Sequence, residues 1–276
     1  MTPDVVTSID DTVAGPHGPV PVRWYSPSAG TTPVGTAPIV WLHGGAFVRG
    51  DLDLPETHEV ARALAARGFR VVTVEYRLVS PGFRRPGGGP PIRYPVPVDD
   101  VVAVVRAVQR DHPDGVILGG ASAGACLAAG AVLRLAADGA PPLRGLFSAY
   151  GLFHARLPEL SREVRGRLRG RRRFMHAPAL LNVLNRFYAG TAAALAEPFA
   201  FAGGHPLDGF PPALLIDAES DSMRASGGQF ARELADAAVP VEYHVLAGTA
   251  HAFLNRPRDP GFARAIGLIA GWAART

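Results

Sequence analysis

The chain has 276 residues, of which 47% are hydrophobic and 19% are charged, so it carries enough apolar material for a large core and is unlike a disordered chain. No apolar run reaches the roughly 18 residues that a membrane-spanning helix needs. The N-terminal residues also lack the basic and apolar regions of a secretory signal. The single cysteine, Cys126, excludes an internal disulfide and a cysteine-based metal site. We therefore expect a cytoplasmic protein.

The net charge of +4 is distributed unevenly along the chain. All 28 basic residues are arginines, and seven of them fall within Arg162–Arg173, where Glu163 is the one acid. This range carries a charge of +6, so the rest of the chain stands at −2. A local patch does not predict a general nucleic-acid-binding surface. We interpret it as a solvated helix face, with an acidic substrate or an acidic partner at this patch as the alternative.

Short β-rich apolar runs alternate with segments of helical periodicity. Continuous runs of Val, Ile and Leu are typical of strands buried on both faces of a parallel sheet. The predicted strands are Val20–Tyr25, Ile39–Leu42, Val71–Tyr76, Val116–Gly119, Gly145–Tyr150, Ala213–Ala218 and Val241–Leu246. The predicted helices are Glu56–Ala66, Asp99–Arg110, Ala123–Ala137, Ala225–Ala238 and Phe262–Ala274. This alternation predicts an α/β fold with a doubly wound, mostly parallel sheet.

Two stretches interrupt the alternation. Residues Ser80–Pro97 are dense in proline and glycine and predict an irregular loop. Residues His154–Gly204 are too long for a simple connection between two strands, and they contain Leu180–Tyr188, whose apolar residues recur at helical spacing. We predict one domain over residues 1–276, with residues 154–204 as a small helical cap over the sheet edge where ligands bind.

The sequence Gly120-Ala121-Ser122-Ala123-Gly124 directly follows a predicted strand and directly precedes a predicted helix. A Gly-x-Ser-x-Gly in this context holds the serine in a strained and exposed turn, and its small residues let the strand and the helix approach closely. The helix N-terminus favours negative charge beside the serine. We therefore predict a nucleophilic serine here. The alternative is a close-packed turn without a chemical role.

The sequence His43-Gly44-Gly45-Ala46-Phe47 follows another predicted strand. Glycines at this end of a strand can turn main-chain N–H groups toward a developing oxyanion, where side chains would block the approach. An ordinary glycine turn is the alternative. We expect His43 to fix this loop rather than to act as a base.

A serine nucleophile needs a base, and the base needs an acid that holds its tautomer. His251 follows the last predicted strand, which places it at the same sheet edge as Ser122. Three acids lie near the end of the preceding strand. Asp217 lies within the strand, whereas Asp221 lies in the loop and is the first choice, with Glu219 second. The order Ser122, Asp221, His251 is that of the α/β-hydrolase triad.

Taken together, these motifs resemble those of the hormone-sensitive-lipase-like family of α/β-hydrolases, which includes many bacterial esterases. The resemblance extends from about Val20 to the C terminus and implies the α/β-hydrolase fold, with Asp221 as the triad acid. The motifs that carry it are His43-Gly44-Gly45, Tyr76-Arg77-Leu78, Tyr94–Asp100, Gly120–Gly124, Ala218–Arg224 and Gly248–His251.

The chain departs from the family pattern near the predicted site. Ala121 stands where the family has an aspartate, Ala125 replaces a glycine, and Ala46 replaces the third glycine of the oxyanion loop. We expect each change to reshape the acyl pocket. Family members begin with helices that help to form a cap. Because the first predicted strand here starts at Val20, we expect a more open site that is covered mainly by residues 154–204.

These features predict a serine carboxylesterase that acts on short- or medium-chain acyl esters through an acyl-enzyme. Ser122 attacks the ester carbonyl, His251 takes its proton, and Asp221 orients the imidazole. The N–H groups that we predict to bind the oxyanion are those of Gly44, Gly45 and Ala123. No metal or cofactor is expected.

Other functions stay open at this level. Amide or formamide hydrolysis, or acyl transfer on a specialised metabolite, would use the same groups. A non-catalytic binding module, similar to the plant gibberellin receptor, is less expected because all three triad residues are present. A small-molecule ester is the expected partner, without nucleic acid or membrane, and a homodimer is expected from the resemblance alone.

Overall fold

The computed structural model describes residues 6–28, 31–32, 34, 37–80, 90–168 and 177–276, and within these ranges eight strands form one sheet. The strands are β1 Thr7–Gly15, β2 Gly18–Ser26, β3 Ile39–Leu42, β4 Val71–Val74, β5 Ile117–Ala121, β6 Gly145–Ala149, β7 Ala213–Ser220 and β8 Val241–Ala250. The helices are α1 Pro55–Ala65, α2 Val96–Asp111, α3 Ala123–Ala137, α4 Arg162–Arg167, α5 Pro178–Ala189, α6 Ala192–Leu195, α7 Arg224–Asp236 and α8 Pro260–Ala273. A 3₁₀ turn covers Phe253–Asn255.

The strand order is β1-β2-β4-β3-β5-β6-β7-β8. Strands β1 and β2 pair antiparallel, β2 pairs antiparallel with β4, and the strands from β4 to β8 are parallel. The carboxyl ends of the parallel strands therefore meet at one edge, where open α/β sheets bind ligands. The predicted fold class is confirmed.

The central strands β3, β4, β5 and β6 are buried on both faces, as their continuous apolar runs predict. Val40 and Leu42 of β3 pack into a core that also contains apolar residues of α2, α3 and α7. Ile39 and Trp41 of the same strand point to the opposite face and pack with α1 and α8. Because alternate residues of one strand fill two cores, neither face can be polar.

Strand β1 was not predicted. It pairs with β2 along its whole length, but nearly all of its residues are exposed, and Ile9 is 70% exposed. A strand without a buried face lacks the apolar alternation by which strands are found in a sequence.

The predicted loop Ser80–Pro97 extends two residues too far, because its last two residues belong to a helix. Helix α2 begins at Val96, so Pro97 lies in the first helical turn, where a missing N–H costs no helical hydrogen bond. Residues 81–89 of this loop lie outside the described ranges.

Residues 154–204 connect β6 to β7 and contain α4, α5 and α6. Leu181 of α5 packs in a small apolar cluster with Leu152, Leu157 and Met223. Asn185 is fully buried, and its Nδ2 donates to the carbonyl oxygens of residues 154 and 155, at 3.2 and 3.0 Å. These contacts hold α5 against the sheet edge that carries the loops after β6 and β7.

Cys126 lies on α3 with no exposed surface, as expected for a buried small apolar residue. Its Sγ donates to the carbonyl oxygen of Ala200 at 3.2 Å, and burial raises the pKa of the thiol. The thiol thus links α3 to the segment 154–204.

Within the described ranges, the structure contains no helix that is both long enough and apolar enough to cross a membrane.

Candidate active site

Ser122 occupies the turn between the end of β5 and the start of α3. Its backbone has φ 51° and ψ −114°, a conformation that a residue with a side chain rarely adopts. The Ser122 N–H donates to the carbonyl of Ala149 at 2.9 Å, which ties the turn to β6. Gly124 lies so close to β3 that a Cβ there would lie 2.4 Å from the carbonyl oxygens of Leu42 and His43. The two glycines of the motif therefore permit the close approach that presents the serine.

The three residues predicted as a triad come together at the carboxyl edge of the sheet. Ser122 Oγ lies 3.1 Å from His251 Nε2, and His251 Nδ1 lies 2.6 Å from Asp221 Oδ2. Asp221 follows β7 and His251 follows β8, so adjacent parallel strands deliver the acid and the base. The second oxygen of Asp221 accepts the N–H of Met223 at 3.0 Å. With Nδ1 donating to Asp221, Nε2 can accept a proton from the serine.

The surroundings of His251 favour the imidazolium form. Burial acts to lower the pKa of His251, but the charge of Asp221 and the hydrogen bond to it outweigh burial, so the pKa lies above 6.5. The ring of Tyr150 meets the imidazole edge to face, with 5.0 Å between the ring centroids. These contacts therefore stabilise His251 after its Nε2 has accepted a proton.

The other two candidate acids have different partners. Asp217 is buried and accepts a hydrogen bond from Tyr243 at 3.0 Å; burial and the nearby Asp221 raise the pKa of Asp217 to about 8. Glu219 accepts the N–H of Gly248 at 3.0 Å and forms an ion pair with an arginine of α4. Because Asp217 and Glu219 have these other partners, Asp221 is the acid that pairs with His251.

The loop after β3 lies directly against the serine, since a Cβ on Gly44 would lie 3.0 Å from Ser122 Cβ. The N–H of Gly44, predicted as an oxyanion donor, already donates to Glu56 Oε2 at 2.6 Å. Gly45 and Ala46 line the cleft, and in the described part of the chain their N–H groups have no protein acceptor. Ala123 is the first residue of α3, so its N–H has no partner within the helix.

Ala46 was not predicted as a donor. It adopts φ 54°, between Gly45 at 122° and Phe47 at 65°, so three successive residues have left-handed backbone conformations. The signal that could have found it is its place as the third residue after His43, where the family pattern has a glycine.

His43 lies beneath this loop with no exposed surface. Its Nδ1 lies 2.6 Å from the Gly44 carbonyl oxygen, and the Tyr76 hydroxyl donates to the His43 carbonyl at 2.7 Å. The rings of His43 and Tyr76 stack with 4.4 Å between their centroids. Burial lowers the pKa of His43. A neutral and buried imidazole suits a role in holding the loop.

A buried carboxylate that the motifs did not reveal lies beside the site. Glu56, at the start of α1, is 2% exposed; Tyr150 Oη and Asn255 Nδ2 donate to its Oε1, the latter at 3.0 Å. The sequence signal was its spacing, because Glu56 precedes the buried Val60 and Leu64 by four and eight residues and so falls on the buried face of the helix.

Above these groups lies an open cleft of about 760 Å³. Ser122 and His251 line it, together with Glu56 and Asn255. Its lining also contains an apolar group and two charged residues. The apolar group includes Leu180, Leu181, Leu184 and Met223, and the charged residues are Arg49 and Asp51.

Part of the arginine-rich range is ion-paired. Arg167 of α4 lies 2.9 Å from Glu219, and Glu163 of α4 lies 3.0 Å from Arg224. These two ion pairs lie on either side of Asp221 in the sequence, so α4 holds both ends of the loop that carries Asp221. Arg165 pairs with an exposed glutamate at 2.6 Å. Arg162 begins α4 and is exposed, and the other four arginines of the predicted patch, Arg169 and Arg171–Arg173, lie outside the described residues.

No three His, Cys, Asp or Glu side chains within the described ranges are grouped as a metal site.

Comparisons with known proteins agree with this geometry. The profile of the alpha/beta hydrolase fold family matches residues 39–255. Esterase LipI of Mycobacterium tuberculosis is 30% identical over 261 residues, which cover 90% of this chain and 75% of LipI. Ethyl acetate hydrolase of Pseudomonas putida is 28% identical over 262 residues, covering 92% and 77%.

Among solved structures, a hormone-sensitive lipase from a metagenome library shares the fold, with a TM-score of 0.80 at 24% identity over 98% of this chain and 86% of that one. The chain therefore belongs to the alpha/beta hydrolase fold family, and within it to the serine esterases.

Proposed function

We propose that this esterase is a serine carboxylesterase that cleaves short- and medium-chain acyl esters through an acyl-enzyme. The observation that carries the proposal is the unbroken line of contacts from Ser122 Oγ through His251 to Asp221, with distances of 3.1 and 2.6 Å. Hydrogen-bond distances of this length allow Ser122 to pass its proton to His251, while Asp221 holds the imidazole in the tautomer that accepts it.

The reaction proceeds in two similar halves. Ser122 Oγ bonds to the ester carbonyl carbon while its proton passes to His251 Nε2, and Asp221 stabilises the imidazolium. The tetrahedral intermediate collapses, the carbon–oxygen bond to the alcohol breaks, and the alcohol leaves with the proton from His251. Water then attacks the acyl-enzyme in the same way and releases the carboxylic acid and the free serine.

The oxyanion of each intermediate lies between the loop after β3 and the start of α3. We assign its donors to the N–H groups of Gly45, Ala46 and Ala123, because the N–H of Gly44 is occupied by Glu56. Losing one such donor typically costs about 10²–10³ in kcat. The N-terminal end of α3 adds a favourable dipole at the same place.

The cleft suits a modest acyl or alcohol group. Residues 154–204 act as the cap in this proposal, since Leu180, Leu181 and Leu184 of α5 line the same cleft as Ser122. A volume of about 760 Å³ is in the range of small-molecule sites. The similarity to ethyl acetate hydrolase supports small esters as substrates.

The test is hydrolysis of p-nitrophenyl acetate, butyrate and octanoate by the wild type, by Ser122→Ala and by the matched control Ser8→Ala, which alters an exposed serine of β1. We expect Ser122→Ala to lose about 10⁴–10⁶ in kcat and Ser8→Ala to match the wild type. Turnover of all three esters by a folded Ser122→Ala variant would contradict the serine mechanism. A rate that rises steadily to octanoate and beyond would contradict the proposed chain length.

A further inference from the structure

Glu56 joins three loops of the site that are distant in the sequence. Its Oε2 accepts the N–H of Gly44 at 2.6 Å, which belongs to the loop after β3. Its Oε1 accepts the hydroxyl of Tyr150, at the end of β6, and Nδ2 of Asn255, four residues after His251. The backbone N–H of Glu56 also lies 3.3 Å from Asn255 Oδ1. One carboxylate thus connects the oxyanion loop to the histidine loop.

The contacts of Glu56 suit a carboxylate. Gly44 donates to Oε2, Tyr150 and Asn255 donate to Oε1, and an ionised carboxylate accepts all three bonds. Burial raises the pKa of Glu56 above its ordinary value, and the bonds from Tyr150 and Gly44 and the nearby charges of His251 and Arg49 offset part of this rise. Burial also raises the pKa of Tyr150 well above its ordinary value, so Tyr150 remains a hydroxyl donor.

The oxyanion loop is the part of the site that needs an anchor. Its three successive left-handed residues include two with side chains, Ala46 and Phe47, for which this conformation is unfavourable. Strained backbone persists only where neighbouring contacts fix it. The bond from Gly44 to Glu56 fixes the residue immediately before this run, and Glu56 is rigid because it is buried and fully bonded.

We propose that Glu56 is a positioning residue of this esterase: its carboxylate aims the N–H groups of Gly45 and Ala46 at the oxyanion and stabilises the imidazolium of His251. The proposal rests on the serine mechanism proposed above. The second effect follows from position and charge. Tyr150 donates to Glu56 and its ring also contacts the His251 imidazole, and Glu56 and His251 line the same cleft. The charge of Glu56 therefore acts with that of Asp221 to raise the pKa of His251. The other charged or titratable groups that act on this pair are Asp217, Asp221, Tyr150 and Arg49.

The test compares Glu56→Gln, Glu56→Asp and the matched control Glu59→Gln. Glu59 lies on the same helix, pairs with Arg62 at 3.2 Å and is partly exposed, so it undergoes the same chemical change away from the site. For p-nitrophenyl butyrate we expect kcat of Glu56→Gln to fall about 10²-fold with KM nearly unchanged. The displaced N–H groups of the oxyanion loop stabilise the transition state but contribute little to substrate binding. Glu59→Gln should match the wild type.

The pH profile separates positioning from simple support of the fold. In Glu56→Gln the acid limb of kcat/KM should move to lower pH, because a negative charge near His251 is lost. Glu56→Asp keeps the charge but shortens the side chain, so its acid limb should stay while kcat falls. A Glu56→Gln enzyme with wild-type kcat, or with reduced kcat but an unmoved acid limb, would overturn the proposal.

Folding must be separated from catalysis. If neither Glu56 variant folds, Tyr150→Phe removes one donor and leaves the carboxylate, and we expect about a tenfold loss in kcat at constant KM; wild-type kcat in this variant would overturn the proposal. An inactive wild type, or an active Ser122→Ala, would instead overturn the proposed function, so the two failures are distinguishable.

Discussion

The close approach of α3 to β3 at Gly124 can be tested by adding one methyl group. A Cβ on Gly124 would lie 2.4 Å from the carbonyl oxygens of Leu42 and His43, whereas ordinary contacts begin near 3.4 Å. Both obstacles are backbone atoms, so the helix must move by about 1 Å, and Ser122 moves with it. A displacement of this size can cost about 10² in rate, and overpacking costs about 1–3 kcal/mol of stability. We expect Gly124→Ala to show both losses.

The assay is kcat/KM for p-nitrophenyl butyrate together with the free energy of unfolding in urea. Gly267→Ala is the matched control, because Gly267 lies in α8 and a methyl group added there would have no atom within 4 Å. That substitution should leave activity unchanged and raise stability by about 0.5–1 kcal/mol, since alanine is the better helix former. A Gly124→Ala enzyme with wild-type kcat/KM would refute the inference that this spacing positions the serine.

Three further predictions follow from charge. Arg167→Met removes the ion pair with Glu219, which is partly exposed and worth up to about 1 kcal/mol; we expect kcat to fall up to about fivefold at low salt, with a smaller difference at high salt. Asp217→Asn should stabilise the protein increasingly as pH rises from about 4 to about 8 in thermal unfolding, because in that window the folded wild type retains a proton that the unfolded chain has released. Because the pKa of His251 is raised, the acid limb of kcat/KM should lie above the pH at which a free histidine side chain loses its proton. Asp221→Asn should move this limb to lower pH and reduce kcat by about 10⁴.

Controls sharpen these expectations. Arg165→Met removes an exposed ion pair that does not involve the loop carrying Asp221. A loss of kcat equal to that of Arg167→Met would therefore contradict the inference that α4 holds this loop in place. For Asp217→Asn, the exposed Asp208 offers the same substitution, and a stability gain independent of pH would contradict a raised pKa. An acid limb that stays in place when Asp221 is changed to Asn would show that the carboxylates do not dominate the environment of His251.

The sequence predicted the parallel core because buried strands leave a strong pattern. The run Ile39–Leu42 is apolar at every position, and the structure has β3 at the same bounds. The Gly-x-Ser-x-Gly turn, the histidine after the last strand and the acid after the preceding one were also found, because each follows an element with a clear signal. Their convergence at 3.1 and 2.6 Å is what the topology predicts for adjacent parallel strands.

What the sequence left open depends on contacts between distant residues. The contact between Gly44 and Glu56 spans twelve residues and two elements, and no local pattern shows that this N–H is occupied. Ala46 adopts a left-handed backbone conformation that alanine disfavours, so the conformational preference of this residue would predict a different backbone there. Strand β1 is exposed, so burial left no pattern in its sequence.

The position of Cys126 has a practical consequence for observing residues 154–204. It is the one thiol of the chain, it lies in the interior of α3, and its raised pKa keeps it in the unreactive form. A cysteine introduced at Val183 of α5, which is 56% exposed, would therefore be the one thiol open to a maleimide dye. A single substitution then yields a fluorescent label that reports whether α5 moves during turnover, with the native cysteine left in place.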